Sequence, residues 1–270
     1  MSDEYPLAGG NMTAVTRVGA TVHRQSDAWT PAVHLLLEHL EHLERLGFDG
    51  APRARGYDDR GREVLTFIEG EAGYFDSCGT QPDYLWSDQT LLEAARLLRR
   101  LHDATSSFVA SPDAAWQLVY PDRSRHEIIC HNDFAPYNCI FAKGHLQAII
   151  DFDMAGPGPR VWDLAYAAYR FVPLVATEHL RYMSIPKAVD MKRRLQLFCD
   201  AYGFDQREGF VNTILERIDA TRLMLIQGAA AGNVAFQRHV AEGGHLEGYE
   251  RDYAFVRAQA SDLQDAIDAR

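Results

Sequence analysis

The order of apolar and polar positions changes character along the chain. From residue 5 to about 25, YPLAGGNMTAVTRVGATVHRQ runs as short strand-like segments broken at Gly9-Gly10 and at Gly19, where glycine permits tight turns; this predicts a small antiparallel sheet. TPAVHLLLEHLEHLERLG then switches to helical spacing, with Val33, Leu36, Leu37, Leu40 and Leu43 on one stripe. Thr30 suits the N-cap, Pro31 the first helical position and Gly47 the end. EVLTFIEGE returns to strand character. SDQTLLEAARLLRRLHDA predicts a second helix, its stripe running through Leu91, Ala95, Leu98 and either Leu101 or His102. Beyond residue 160 the pattern is almost wholly helical: Met191, Leu195, Phe198 and Tyr202 form one stripe, and Phe210, Ile214, Ile218 and Leu225 another. A small mixed lobe followed by a large helical one is expected, divided near Glu69 to Gly73.

The segment between these regions carries the chemistry. HNDFAPYNCIF packs His131, Asp133 and Asn138 into one loop, and CIFA, KGH and LQAII follow as strand, turn and strand. A hairpin there returns the chain to its start, so Asn138 and Asp151 become neighbours, with Asp133 just upstream. An amide oxygen and two carboxylates at the mouth of a hairpin suit a hard cation such as Mg2+.

Composition narrows the context. The chain has 270 residues and 47% hydrophobic content, enough for a substantial core. No run approaches the ~18 apolar residues of a membrane span, and MSDEYPLAGG does not read as a signal peptide, so a cytoplasmic location is expected, with no membrane partner. Cys78, Cys130, Cys139 and Cys199 show no metal-ligand spacing and read as reduced thiols. A net charge of -11 disfavours a nucleic-acid surface and favours cationic ligands.

HNDFAPYN follows the H-x-D-x4-N order of a kinase catalytic loop, and IIDFD resembles the metal-binding D-F-G element with Asp153 in place of glycine. With GPGPRVWDLAYAAY, RRLHDA and LTFIEGE, the chain is most similar to the aminoglycoside phosphotransferase and choline kinase-like superfamily, from about residue 5 to 260. The resemblance implies an α+β, protein-kinase-like two-lobe fold: a small antiparallel-sheet N-lobe binding nucleotide over residues 1-70, and a large, mainly helical C-lobe over 71-270 for catalysis and acceptor binding. It implies an ATP- and Mg2+-dependent kinase acting on a hydroxyl of a small, cationic molecule such as an aminoglycoside, another antibiotic, an amino alcohol or an amino sugar.

In that frame Asp133 is the catalytic base or hydroxyl-orienting residue, and Asn138 and Asp151 are the magnesium ligands. His131 buttresses the loop and Asp163 anchors its backbone, while Asp153 either adds a carboxylate near the metals or faces solvent. Purine contacts fall near Thr66 and Ile68, leaving ATP or GTP open, and the state is monomer or homodimer. GPGPR reads as a rigid turn into a helix. The chain also departs from the pattern: no lysine precedes Lys143, so Arg24 in TVHR stands where the phosphate-pairing strand lysine belongs, with Val22 beneath the adenine on the same strand face. Glu38 and Glu41 are the candidates for its helix partner or are solvated charges, and Gly9-Gly10 either approach phosphate or form an ordinary turn. His34, His39 and His42 lack metalloprotease order and read as an exposed or packing face. The alternative to a kinase is a catalytically silent binding or immunity module.

Overall fold

The computed structural model describes residues 4-7, 15-44, 48-73, 82-176, 185, 189-241 and 244-269. Gly9, Gly10, Gly47 and Cys78 lie outside these. The chain divides into two compact units, one of Met1–Tyr74 with Leu97–Asp163, the other of Phe75–Arg96 with Leu164–Arg270.

In the first unit, strands β1 (Glu4–Pro6), β2 (Val15–Val18), β3 (Thr21–Arg24), β4 (Ala54–Tyr57) and β5 (Glu63–Thr66) form one antiparallel sheet in the order β1-β2-β3-β5-β4. This is the small sheet anticipated from the pattern. Helix α1 spans Thr30–Glu44 and buries Val33, Leu36, Leu37 and Leu40. It begins one residue before the expected start: Trp29 O accepts the first helical N–H bonds, and Thr30 Oγ1 instead accepts Asp27 N–H at 2.9 Å.

After β6 (Glu71–Ala72) and helix α2 (Asp88–Thr105), strand β7 (Ile128–Cys130) leads into the loop. The predicted hairpin is present as β8 (Cys139–Ala142) and β9 (His145–Ile149). Lys143 and Gly144, at φ 53° and 77°, supply the two left-handed residues of a tight hairpin turn. Gly156 to Gly158 differs from expectation: it is strand β10, paired antiparallel with β7. The glycine at 156 also lets the chain at Leu118 pass close by, since a Cβ there would meet Leu118 O at 1.7 Å.

The second unit is helical. Helix α3 (Arg160–Phe171) enters it, and α4 (Met191–Tyr202), α5 (Phe210–Ala230), α6 (Val234–Ala241), α7 (His245–Ala258) and α8 (Ala260–Asp268) complete it. Leu195, Phe198 and Tyr202 are buried as their stripe requires, as are Phe210, Ile214, Ile218 and Leu225. Buried polar groups here serve the chain itself: Arg194 donates to the Trp86 and Phe171 carbonyls, and Asp252 accepts the Tyr169 hydroxyl at 2.6 Å and Ala176 N–H at 2.8 Å. No described helix is long and apolar enough to cross a membrane. Among the described residues, Cys130, Cys139 and Cys199 are buried and form no disulfide.

Candidate active site

The loop between β7 and β8 is fixed from beneath by one buried carboxylate. Asp163, in the first turn of α3 and wholly inaccessible, accepts His131 N–H at 2.7 Å, Asn132 N–H at 2.8 Å and the His102 ring at 3.0 Å. Burial alone would raise the Asp163 carboxyl; the His102 hydrogen bond, with the His131 amide, outweighs it and holds it below the ordinary range. Burial in turn lowers the His102 imidazole, against the pull of Asp163, so His102 is a neutral donor to an ionised acid. The anchor anticipated at Asp163 is therefore in place, and its partner His102 is the residue the helical stripe left undecided.

His131 ties the loop to the hairpin's far end. Its Nε2 contacts Ile150 O at 3.0 Å while Asp133 N–H donates to Nδ1 at 3.3 Å, which assigns the ring proton to Nε2. Asn132 takes a left-handed backbone, φ 65°, and its side-chain amide donates to Met154 O. Ile150 N–H donates to Asn138 O at 2.9 Å, so the hairpin closes with Asp151 close in the chain to the residue bonded to Asn138.

Asp133 is held by its own loop. The Tyr137 hydroxyl donates to Oδ1 at 2.7 Å, and the Asn138 amide donates to Oδ2 at 2.8 Å and to the Asp133 carbonyl at 2.9 Å. The Asn138 nitrogen being committed, its ligand capacity lies on the amide oxygen. Asp151 sits at φ 64°, uncommon for a residue with a Cβ and a mark of a constrained site.

Arg24, 7% exposed, lies directly across the sheet from Glu63. Its three nitrogens reach three carboxylates: Nε to Glu63 at 2.5 Å, one terminal nitrogen to Asp151 at 2.8 Å, the other to Asp153 at 2.5 Å. Burial would lower the guanidinium pKa, but Asp153, Asp151 and Glu63 raise it further above its already high value. Burial, with Asp151 and Glu63, raises Asp153 to about 7 against the pull of Arg24. His34, buried, donates to the second Glu63 oxygen at 3.0 Å and stacks on Tyr57.

Sequence reasoning missed this. The glutamate paired with Arg24 is on β5, not on α1; Glu38 is exposed, and Glu41 binds Arg55 and Arg53 outside the site. His34 is not a bland face residue. Register across β3 and β5 was the missing signal, because neither residue announces the other in sequence. Tyr137 was equally silent, one unremarked hydroxyl in a recognised loop. Thr66 is engaged with Arg53 N–H through its side chain, and Ile68 is half-buried in the segment after β5.

No set of three or more His, Cys, Asp or Glu among the described residues is arranged to hold a metal. The donors present, the Asn138 amide oxygen and the Asp151 carboxylate with Asp153 close by, fit a hard cation that fills its remaining positions with water and phosphate oxygen. Three carboxylates around one guanidinium also leave a surplus of negative charge.

The model of the phosphotransferase enzyme family matches residues 6–198. A trifolitoxin immunity protein of Rhizobium leguminosarum bv. trifolii is 34% identical over 221 residues, covering 80% of each chain. Two solved structures share the fold: an aminoglycoside 2'-phosphotransferase-IIIa in its GDP complex, with TM-score 0.60, 15% identity, and 94% of this chain and 93% of that one covered; and a choline/ethanolamine kinase family protein of Mesorhizobium loti, with TM-score 0.58, 14% identity, and 99% and 92% covered. The α+β, kinase-like architecture and the kinase-type order of its loop thus have one origin: the chain belongs to the phosphotransferase enzyme family.

Proposed function

We propose that the protein transfers a phosphoryl group from ATP or GTP to a hydroxyl of a small, cationic molecule, with residues 1-70 serving the nucleotide and 71-270 the chemistry and the acceptor. The observation that carries this is the fixed Asp133 carboxylate, gripped by Tyr137 and Asn138 beside a hairpin that brings Asn138 to Asp151. Asp133 orients the acceptor hydroxyl and takes its proton; holding both carboxylate oxygens in advance removes reorganisation from that step. Asn138 and Asp151 would hold Mg2+, which neutralises phosphate charge when bound. His131 and Asp163 keep the loop in place, Arg24 and Asp153 set the charge at the metal ligands, and Thr66 and Ile68 border the purine. The protein acts in the cytoplasm on this reading.

A second reading is favoured by one observation: the relative named as an immunity protein. In it the chain protects by binding a toxin-like molecule without turnover. One experiment separates the two. The purified protein is incubated with ATP, Mg2+ and a panel of aminoglycosides, other hydroxylated antibiotics, choline-like amines, amino sugars and trifolitoxin, with Asp133→Asn as the blank, and products are searched by mass spectrometry for an added phosphoryl group. A product that falls by about two to four orders of magnitude in the blank supports the kinase. Binding of a panel member without phosphorylation supports the silent module.

A further inference from the structure

We infer that Arg24 is a built-in counter-cation for Asp151 and Asp153, so that the site takes one divalent cation per nucleotide instead of two. The inference rests on the phosphotransferase reading. Kinase sites of this type hold two metal ions on the equivalents of Asp151 and Asn138, and their strand lysine turns to phosphate. Here each guanidinium nitrogen is already on a carboxylate, at 2.5 Å to Glu63, 2.8 Å to Asp151 and 2.5 Å to Asp153.

The placement is rigid. Arg24 and Glu63 are direct cross-strand partners, and His34 fixes the far oxygen of Glu63. The guanidinium cannot give up its charge, and its planar fork spans two carboxylates that a point-like ammonium could not hold together. Arg24 thus occupies one oxygen of Asp151 and one of Asp153. What remains for metal is the rest of Asp151, whose side chain is 43% exposed, and the amide oxygen of Asn138. That is a donor set for a single divalent ion. The two departures from the kinase pattern, arginine for lysine at 24 and aspartate for glycine at 153, then explain each other: Asp153 is the second anchor of the guanidinium fork.

The test counts metal without requiring turnover. Wild type, Arg24→Gln and Arg24→Lys are dialysed to equilibrium against Mn2+ and a non-hydrolysable ATP analogue, and protein-bound metal and nucleotide are both measured. The expected ratio is 1:1 in wild type and close to 2:1 in Arg24→Gln, whose carboxylates are released; Arg24→Lys serves the same purpose if Arg24→Gln does not fold, since an ammonium leaves one carboxylate to a second ion. A 2:1 ratio in wild type, or 1:1 in a folded Arg24 variant, overturns the inference and leaves the phosphotransferase reading standing. Failure of wild type to bind the analogue at all defeats both.

Discussion

Two carboxylate clusters in the first unit are built on opposite terms. Asp163 is inaccessible and carries one negative charge met by three N–H donors, from His131, Asn132 and His102. Around Arg24, three carboxylates share one guanidinium, and one of them, Asp151, has a side chain 43% exposed. The first cluster is complete within the chain and holds the loop in shape. The second gathers three carboxylates on one guanidinium, with His34 on the far oxygen of Glu63. Satisfied burial is the mark of scaffold, and on the proposed function the partly exposed Asp151 is where a ligand would be met.

Substitutions should break that contrast in order of size. Asp163→Ala leaves two buried amides and His102 without their acceptor and is expected to cost about 3–5 kcal/mol of unfolding free energy in urea; a loss under about 1 kcal/mol would remove its role as anchor. Asp151→Asn is the converse. It relieves surplus charge while Arg24 keeps Glu63 and Asp153, so stability should change by less than about 1 kcal/mol while phosphoryl transfer falls by about two orders of magnitude or more.

Acid titration should divide the clusters by sign. The His102 pKa is depressed from 6.5, so the unfolded chain takes up a proton that the folded one refuses; stability is full above pH 6.5 and declines below it, by at most about 1.4 kcal/mol per pH unit. Asp153 is raised from 3.8 to about 7, so its contribution is present at low pH and is lost as pH rises through about 7. Melting temperatures between pH 5 and 8 should therefore flatten on the acid side in His102→Gln and on the neutral side in Asp153→Asn. The smallest effect is expected from Tyr137→Phe, which deletes one hydrogen bond to Asp133: about 1 kcal/mol or less in stability, with a fall in kcat exceeding any change in KM.

The loop and hairpin were legible because short apolar runs around Lys143-Gly144 and a fixed loop order are local signals, and the αL residues at 143 and 144 confirm that local chemistry. What escaped was pairing at a distance. Arg24 and Glu63 meet only once β3 and β5 are in register, and His34 reads as one more helix-face polar residue until Glu63 lies beneath it. Gly156 to Gly158 misled for another reason: turn-forming residues were used to let two backbones approach.

Gly73 has a mechanical consequence. A Cβ there would stand 2.1 Å from Pro136 O, and its N–H donates to Cys139 O at 3.2 Å, so the backbone just past β6 is pressed against the loop that carries Asp133 and Asn138. Pro136 precedes Tyr137, whose hydroxyl holds Asp133. Gly73, Pro136, Tyr137 and Asp133 thus form one continuous run of close contacts. Bulk added at position 73 would therefore deflect the loop at Pro136 as a wedge does.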